Sequence, residues 1–138
     1  MKPVRLLDFR GVSAIHAELI TRYGGSMGLR DAGLLESAIA RPAHLHVYEE
    51  DATIARLCAT LGWGLLKNHA FIDGNKRVAL GAMVVFLELN GYELTCSEAE
   101  ETDMVLRAAA SELSELEWNE WVERLRKPNR LRSWPLFG

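Results

Sequence analysis

Several features that would place a protein in a special class are scarce in this sequence. It has 2 cysteines, and the spacing of Cys58 and Cys96 gives no C-x-x-C pair, which argues against a disulfide framework or a cysteine zinc site. No apolar run approaches the roughly 18 residues of a membrane span, and the N-terminus has no signal-peptide core, so we expect a cytoplasmic protein with no membrane partner. The 16 basic and 19 acidic residues give a net charge of −3, which provides no broad attraction for nucleic acid.

What the chain does have is a pattern typical of an ordinary globular domain. Apolar residues make up 49% and charged residues 25% of its 138 residues. A chain of this length fits one compact domain and can bury roughly two-thirds of its unfolded surface. Apolar residues recur at helical spacing almost throughout, and only Tyr92 to Thr95 looks extended. The sequence therefore predicts a single all-α bundle.

Turn and capping residues predict where the first helices begin and end. Gly24-Gly25 should end the first helix. Asp31 is the expected N-cap of a second helix, which Pro42 should stop. Residues 43–50 are predicted to form a loop or flap, and Asp51 to cap a third helix.

The fourth predicted helix, from about Asn75 to Leu89, is apolar on nearly every side, which is typical of a helix buried in the middle of a bundle. Asn90-Gly91 should end it. Capping-box patterns then predict two more helices, opened by Ser97 with Glu100 and by Ser114 with Glu117. Pro128 should end the last helix, and the aromatic residues Trp134 and Phe137 fall in a tail of undecided structure.

The segment between the third and fourth helices, His69-Ala-Phe-Ile-Asp-Gly-Asn-Lys-Arg77, concentrates charged and reactive side chains. The first N–H groups of a helix have no partner within it and carry the positive end of its dipole. Gly74 lets an anion approach these groups closely, and Lys76 and Arg77 add positive charge at the same end. Because cations there are unfavourable for the helix itself, we expect a bound anion, with phosphate as the first candidate.

Two more side chains of this segment could act on a bound phosphate. Asp73 would repel phosphate unless a cation lies between them, and Mg²⁺ bound by one carboxylate plus phosphate oxygens is the usual arrangement. A neutral imidazole at His69 could take the proton of an attacking hydroxyl group. Phe71 is expected to point into the core and hold the loop rigid.

Each of these residues also has a structural interpretation. His69 could be a solvated loop residue, Asp73 an N-cap, and Lys76 and Arg77 a solvated helix face. The combination of all of them, in order, at the mouth of a buried helix favours a functional site. Three further histidines allow other interpretations: His16 is expected to be a hydrogen-bonded packing residue, and the pair His44 and His46 to lie on a flap rather than to bind a metal.

This segment is similar to the signature of the Fic/Doc family, and in particular of its Doc (death-on-curing) toxin branch. The resemblance extends over about residues 4–127, so we expect one domain over residues 1–127 and a tail over 128–138. Outside the loop it rests on Arg22-Tyr23-Gly24-Gly25, Arg30-Asp31, Leu35-Glu36-Ser37-Ala38, Arg41-Pro42, Tyr48-Glu49-Glu50 and Asn90-Gly91-Tyr92.

The resemblance implies a role for each residue of the loop. His69 is the expected general base, Asp73 the Mg²⁺ ligand, and the helix start the anion hole, formed by Gly74, Asn75, Lys76 and Arg77. Lys67 stands where some Doc proteins carry Arg; it could support the terminal phosphate of ATP, or it could be a solvated lysine at a helix end.

The Fic pattern for AMP transfer ends in Gly-Asn-Gly-Arg-x-x-Arg, and this chain departs from it at two positions. Lys76 fills space that glycine leaves open, and Leu80 stands in place of the second arginine, which removes a bidentate phosphate clamp. Doc proteins share the Asn-Lys-Arg form. The resemblance therefore implies a protein kinase that transfers the γ-phosphate of ATP to a Ser or Thr hydroxyl, with elongation factor Tu as target and translation as the process it stops.

The same resemblance implies a Phd-type antitoxin as partner. Many Fic proteins carry an inhibitory Ser/Thr-x-x-x-Glu-Gly/Asn segment; Ser97 with Glu101 and Ser111 with Glu115 match it only in part, so inhibition in trans is expected. Three rival functions stay open at this point. They are AMP transfer, a non-catalytic binding module and, against the net charge, a nucleic-acid binder.

Overall fold

Helices dominate the computed structural model, which describes residues 3–128. The elements are α1 (Phe9–Tyr23), α2 (Ala32–Tyr48), α3 (Ile54–Asn68), α4 (Asn75–Leu89), β1 (Tyr92–Leu94), α5 (Glu98–Ala109), α6 (Glu115–Leu125) and β2 (Arg126–Pro128). The two short strands pair antiparallel, with Glu93 opposite Lys127. This architecture confirms the predicted helical bundle. Within the described residues, no helix combines the length and the apolar character that crossing a membrane requires.

Two helices share the centre of the bundle. α3 packs against α2, α4, α5 and α6, and α4 packs against α1, α3, α5 and β1. Ten residues of α3 and seven of α4 are buried. The central position predicted for α4 is therefore shared with α3. The loop that joins these two helices, residues 69–74, therefore rises directly from the core.

Most of the predicted helix ends are confirmed. Gly24, with φ 87°, caps the C-terminus of α1, and the side chain of Asp31 accepts a hydrogen bond from the Leu34 N–H at the start of α2. Ser114 and Glu117 form the complete capping box of α6. These local signals work because each satisfies backbone groups that the helix itself leaves unpaired.

The prediction that Pro42 ends α2 is wrong, and so is the predicted loop at 43–50. The helix continues through Pro42 to Tyr48. Proline at this position removes one backbone hydrogen bond, but Pro42 is itself buried between Ala38 and Leu45 at the spacing of a core-facing stripe. Burial of that stripe outweighs the lost bond.

The predicted cap of α3 is also wrong. Thr53, not Asp51, is the N-cap, and its hydroxyl oxygen accepts a hydrogen bond from the Arg56 N–H. The same hydroxyl donates to a carboxylate oxygen of Glu123 on α6 at 2.7 Å. Local sequence favours either residue, and the contact with α6 selects Thr53.

A second strand, which the sequence does not predict, follows the end of α6. β2 contains two basic residues and a proline, a composition with no strand signal of its own. It forms because β1 offers an edge and because the guanidinium group of Arg126 lies over the Tyr92 ring, 5.1 Å from its centroid. Of the predicted tail at 128–138, only Pro128 is described; Trp134 and Phe137 lie outside the described residues.

Candidate active site

The α3–α4 loop (residues 69–74) begins with an unusual backbone conformation. His69 caps the C-terminus of α3 with φ 50° and ψ 51°, in the left-handed region that costs a residue with a Cβ atom about 1–2 kcal/mol. The His69 side chain is exposed, whereas the next two residues, Ala70 and Phe71, are 1% and 4% exposed. The loop thus presents its imidazole at the surface while the neighbouring residues anchor it in the core.

The interior of the loop is fixed by side chains from α1 and α4. Asn75 is buried and binds Phe71 twice, since its amide oxygen accepts from the Phe71 N–H (3.0 Å) and its amide nitrogen donates to the Phe71 carbonyl (2.9 Å). The Phe71 ring stacks on the buried His16 ring, with centroids 3.8 Å apart. His16 Nε2 lies 2.7 Å from the Asp73 carbonyl oxygen, so this nitrogen carries the proton and donates it. These contacts confirm the predicted packing roles of Phe71 and His16.

The outer edge of the loop is held by the α1–α2 connection (residues 24–31). An isolated antiparallel bridge joins Leu29 to Phe71, and the Ile72 N–H donates to the Gly28 carbonyl at 3.1 Å. The backbone N–H groups of Arg30 and Asp31 both donate to the Ala70 carbonyl, at 2.7 and 3.0 Å. The loop is therefore paired with this connection along most of its length.

The Asp73 carboxylate is fixed by two backbone amides. Its Oδ2 atom accepts from the Ser26 N–H at 3.0 Å, and its Oδ1 atom accepts from the Gly74 N–H at 2.8 Å. These two hydrogen bonds, with a smaller contribution from the positive charge of Arg77, hold the pKa of Asp73 below its usual value. A Cβ atom at Gly25, where φ is 118°, would lie 2.6 Å from Oδ2, so the close approach of the connection requires glycine there.

The N-terminus of α4 is not capped by a side chain. Gly74, with φ 79°, occupies the cap position, and the first backbone bond of the helix runs from the Val78 N–H to the Gly74 carbonyl. Within residues 3–128, the N–H groups of Asn75, Lys76 and Arg77 have no hydrogen-bond partner. The other helices of the described chain each have a capping side chain, from Asp8, Asp31, Thr53, Ser97 and Ser114.

A cleft of about 440 Å³ brings these groups together. It is lined by His69, Ile72, Asp73, Gly74, Asn75, Lys76 and Arg77. The cleft is therefore bordered by His69, by Asp73 and by the uncapped start of α4. An anion in this cleft meets unpaired amides and two cationic side chains.

The two cationic side chains of the cleft differ in whether another residue binds them. One terminal nitrogen of Arg77 donates to the Gly24 carbonyl at 2.9 Å, which fixes the guanidinium group beside the α1–α2 connection. The Lys76 side chain is exposed and has no hydrogen bond or ion pair to another described residue. Lys76 is thus the more adaptable charge.

The structure does not bring Lys67 into this cleft. Its ammonium group donates to the Ala108 carbonyl and to the Ser111 hydroxyl, 3.1 Å away, and lies over the Trp63 ring. Because the C-terminal carbonyls of a helix carry partial negative charge, Lys67 stabilises the end of α5. Its side chain points to α5 rather than to the anion-binding groups.

A larger cleft, of about 620 Å³, lies between α2, α3 and α6. Its arginines already have acidic partners, since Arg41 pairs with Glu115 at 2.6 Å and Arg56 pairs with Glu49. His44 lines it, but the part of the chain that the structure describes holds no cluster of three or more His, Cys, Asp or Glu side chains able to bind a metal. The predicted flap at His44 is helical, and this larger cleft lies along the first half of α3, away from His69.

Comparison with known proteins identifies the family. The sequence model of the Fic/DOC family matches residues 6–87, which include α1 to α3, the α3–α4 loop and most of α4. The chain belongs to the Fic/Doc family. It is 37% identical over 101 residues to the protein kinase doc of Escherichia phage P1, covering 73% of this chain and 79% of that protein. It is 47% identical over 75 residues to toxin Doc of Mycolicibacterium smegmatis, covering 52% of this chain and 56% of that one.

Both relatives carry the name Doc, so within the Fic/Doc family the chain is similar to Doc proteins. Two contacts of the loop are not revealed by the loop sequence alone. Ser26 and Arg30 both bind the loop, one at Asp73 and one at His69, yet they lie more than 35 positions earlier in the chain. The signal for them was the glycine-rich Arg22-Tyr23-Gly24-Gly25 stretch, which marks a connection that can approach another backbone closely.

Proposed function

We propose that this protein is a transferase that moves the γ-phosphate of ATP to a Ser or Thr hydroxyl of a target protein, with Mg²⁺ as cofactor. Elongation factor Tu is the first target to test, and inhibition of translation is the expected consequence. One observation carries the proposal: the exposed imidazole of His69 and the unpaired amides that open α4 line the same cleft. A relative named as a protein kinase supports the reaction type.

The chemistry needs a base, a phosphate cradle and a leaving group. The acceptor hydroxyl oxygen forms a bond to the γ-phosphorus, the bond from that phosphorus to the bridging oxygen breaks, and ADP leaves. His69, neutral at the outset, takes the hydroxyl proton on a ring nitrogen. The amides of Asn75, Lys76 and Arg77 and the two cationic side chains stabilise the negative charge on the phosphate oxygens.

The residues present fit a magnesium ion that is bound together with phosphate. Asp73 offers one carboxylate at the cleft wall, and each of its oxygens accepts one backbone N–H, which leaves lone pairs free. Since no larger ligand cluster is found within residues 3–128, Mg²⁺ would be completed by phosphate oxygens and water, as it prefers. Bound there, the ion supplies neutralisation of the phosphate charge.

Lys76 and Leu80 support γ-phosphate transfer over AMP transfer. Lys76 lines the cleft with a side chain where the AMP-transferring pattern has glycine. Leu80 packs against the hydrophobic core instead of supplying a second guanidinium clamp. Both differences argue against binding the triphosphate in the orientation that exposes its α-phosphorus.

A Phd-type antitoxin is the inhibitor that we propose. The residues lining the described cleft include no glutamate. Of the partial inhibitory patterns, Glu115 is paired with Arg41 in the larger cleft, and Glu101 lies on α5. A Doc-like toxin whose described residues place no glutamate in the cleft is expected to be silenced in trans.

Incubation of elongation factor Tu with the protein, Mg²⁺ and ATP labelled at either the α or the γ position tests the proposal. We expect label from the γ position only, and an intact-mass gain of one phosphate on elongation factor Tu. Label from the α position with a gain of AMP would replace kinase by AMP transfer. No transfer to any protein of a translation extract, with ATP binding absent in calorimetry, would favour a non-catalytic binding module.

A further inference from the structure

The C-terminus of α3 is closed in a different way from the other helix ends. In α1, α2, α4, α5 and α6 the N–H of the C-cap residue donates back to a carbonyl of its own helix. At α3 the C-cap residue is His69, and its N–H makes no such bond within residues 3–128. The last carbonyls of α3 therefore need partners from elsewhere.

Arg30 supplies those partners. Its Nε atom donates to the His69 carbonyl at 2.7 Å, and one terminal nitrogen donates to the Asn68 carbonyl at 3.0 Å. A planar guanidinium group can serve two successive carbonyls at once, and its positive charge is favourable at the negative end of a helix. Arg30 is thus the side chain that holds the His69 backbone.

The consequence concerns where the His69 imidazole points. His69 lines the cleft and is exposed, and its left-handed φ is unfavourable for a residue other than glycine. A residue in such a conformation persists when surrounding contacts over-determine it. Here the side-chain contacts to the carbonyls of residues 68 and 69 come from Arg30.

The phosphate cradle is held by separate contacts. Asn75 binds Phe71, and His16 binds the Asp73 carbonyl, and neither residue contacts Arg30 through a hydrogen bond. The backbone N–H of Arg30 also bonds to Ala70, and a substitution at residue 30 retains this bond. Loss of the Arg30 side chain should therefore disturb the base and leave the cradle in position.

We infer that Arg30 is a positioning residue that holds His69 in the left-handed conformation facing the cleft. This inference rests on the proposed function for its catalytic meaning, since His69 is the proposed base. It predicts that the Arg30 side chain contributes to the rate of transfer and not to the binding of ATP.

The test compares Arg30→Met and Arg30→Lys with the wild type, and with Arg107→Met as the matched control. Arg107 lies on α5 in an exposed pair with Asp103, and its side chain makes no hydrogen bond to the α3–α4 loop. For Arg30→Met we expect kcat to fall about 10- to 100-fold, because a small misplacement of a catalytic group has effects of this size. The KM for ATP should stay within about threefold of the wild-type value by the same reasoning. The kcat of Arg30→Lys should lie between those of the wild type and Arg30→Met, because lysine keeps the positive charge but lacks the planar pair of donors.

The backbone conformation is measured independently of catalysis. NMR backbone chemical shifts and the φ-dependent coupling of residue 69 should show the left-handed conformation in the wild type and in Arg107→Met, and its loss in Arg30→Met. If Arg30→Met does not fold, as judged by circular dichroism, Arg30→Lys gives the same comparison at smaller amplitude.

Three results would overturn the inference. They are retention of the left-handed signature in Arg30→Met, its loss with an unchanged kcat, and a KM for ATP that rises in step with the fall in kcat. If the wild type transfers AMP, the proposed kinase reaction fails, and the same comparison of kcat and KM still decides the role of Arg30. If the wild type transfers nothing, the proposed function fails, and the signature at residue 69 alone decides.

Discussion

The N-termini of α4 and α6 show two opposite solutions to the same physical problem. α6 begins with Ser114 and Glu117 in a reciprocal capping box, and with acidic residues in its first turn that complement the helix dipole. α4 begins with Gly74, has no capping side chain, and carries Lys76 and Arg77 in its first turn. The start of α6 is built for stability. The start of α4 gives up that stability and leaves amides and positive charge for a ligand.

The largest expected effect is the loss of the proposed base beside the uncapped end. His69→Ala should lower the rate of transfer by about 10²- to 10⁴-fold, the usual contribution of a general base. Stability should change little, because the His69 side chain is exposed. His44→Ala, which removes an exposed histidine of α2, is the control and should keep full activity. A His69→Ala protein that transfers phosphate at the wild-type rate would show that His69 is not the base. The contrast between the two helix starts would then have no demonstrated link to catalysis.

The second largest effect is expected for the buried side-chain amide of Asn75, which binds the α3–α4 loop to the start of α4. Asn75→Ala leaves the Phe71 N–H and carbonyl without partners in the core, which should cost about 2–4 kcal/mol in the free energy of unfolding. Asn68→Ala, which removes one bond to the Leu34 carbonyl, should cost about 1 kcal/mol. Urea denaturation measures both. Equal losses of unfolding free energy in the two variants would show that the two hydrogen bonds to Phe71 contribute no more than the single hydrogen bond to Leu34.

Asp73→Asn tests the carboxylate that lines the cleft together with the uncapped start of α4. We expect the rate at limiting Mg²⁺ to fall about 10- to 100-fold, a typical effect of disturbing a metal site. Added Mg²⁺ should recover part of the rate. A titration of activity against Mg²⁺ that is identical for Asp73→Asn and wild type would remove Asp73 from the proposed metal site.

The lowered pKa of Asp73 also fixes the sign of a stability effect. A carboxylate whose pKa is lower in the folded protein adds stability above its unfolded pKa, near 3.8, and loses it as the pH falls through the folded pKa. The difference in unfolding free energy between the wild type and Asp73→Asn should therefore shrink as the pH is lowered below this value. Denaturant midpoints measured from neutral to acidic pH check this, and a difference that widens on acidification would contradict the hydrogen bonds from Ser26 and Gly74.

The smallest effect belongs to the capped end. Ser114→Ala should lower the unfolding free energy by about 1 kcal/mol, as removal of an N-cap does. Phosphate transfer should be unchanged, since the α6 cap lies outside the cleft at the α3–α4 loop. Thermal denaturation and the labelled-ATP assay together measure both quantities. A loss of transfer without a loss of stability would mean that the two helix starts are coupled.

Sequence patterns revealed the site better than they revealed its supports. His69, Asp73 and the residues from Gly74 to Arg77 were selected because one short segment carries them all, and the structure brings them to one cleft. Their roles in catalysis stay a prediction. Lys67 was selected from its position in the chain, and its contacts with Ala108 and Ser111 were invisible because they depend on how α5 packs.

The fold followed the same division between local and distant information. Caps such as Asp31 and Ser114 were predictable, because each acts within four residues of itself. Thr53 and the strand β2 were not, since contacts with Glu123 and with β1 decide them. The helix through Pro42 has a sequence signal of its own, because an apolar stripe at helical spacing continues past the proline.

The pairing of the loop with the α1–α2 connection has a consequence for how the site can be transferred or lost. Asp73, Ile72 and His69 each have a partner between Ser26 and Arg30, so a peptide carrying residues 69–77 alone keeps the Asn75–Phe71 contact but lacks these partners. Grafting that motif onto another helical scaffold should yield an inert loop. Conversely, a single protease cut in the exposed α1–α2 connection should inactivate the protein while leaving every residue of the motif in place.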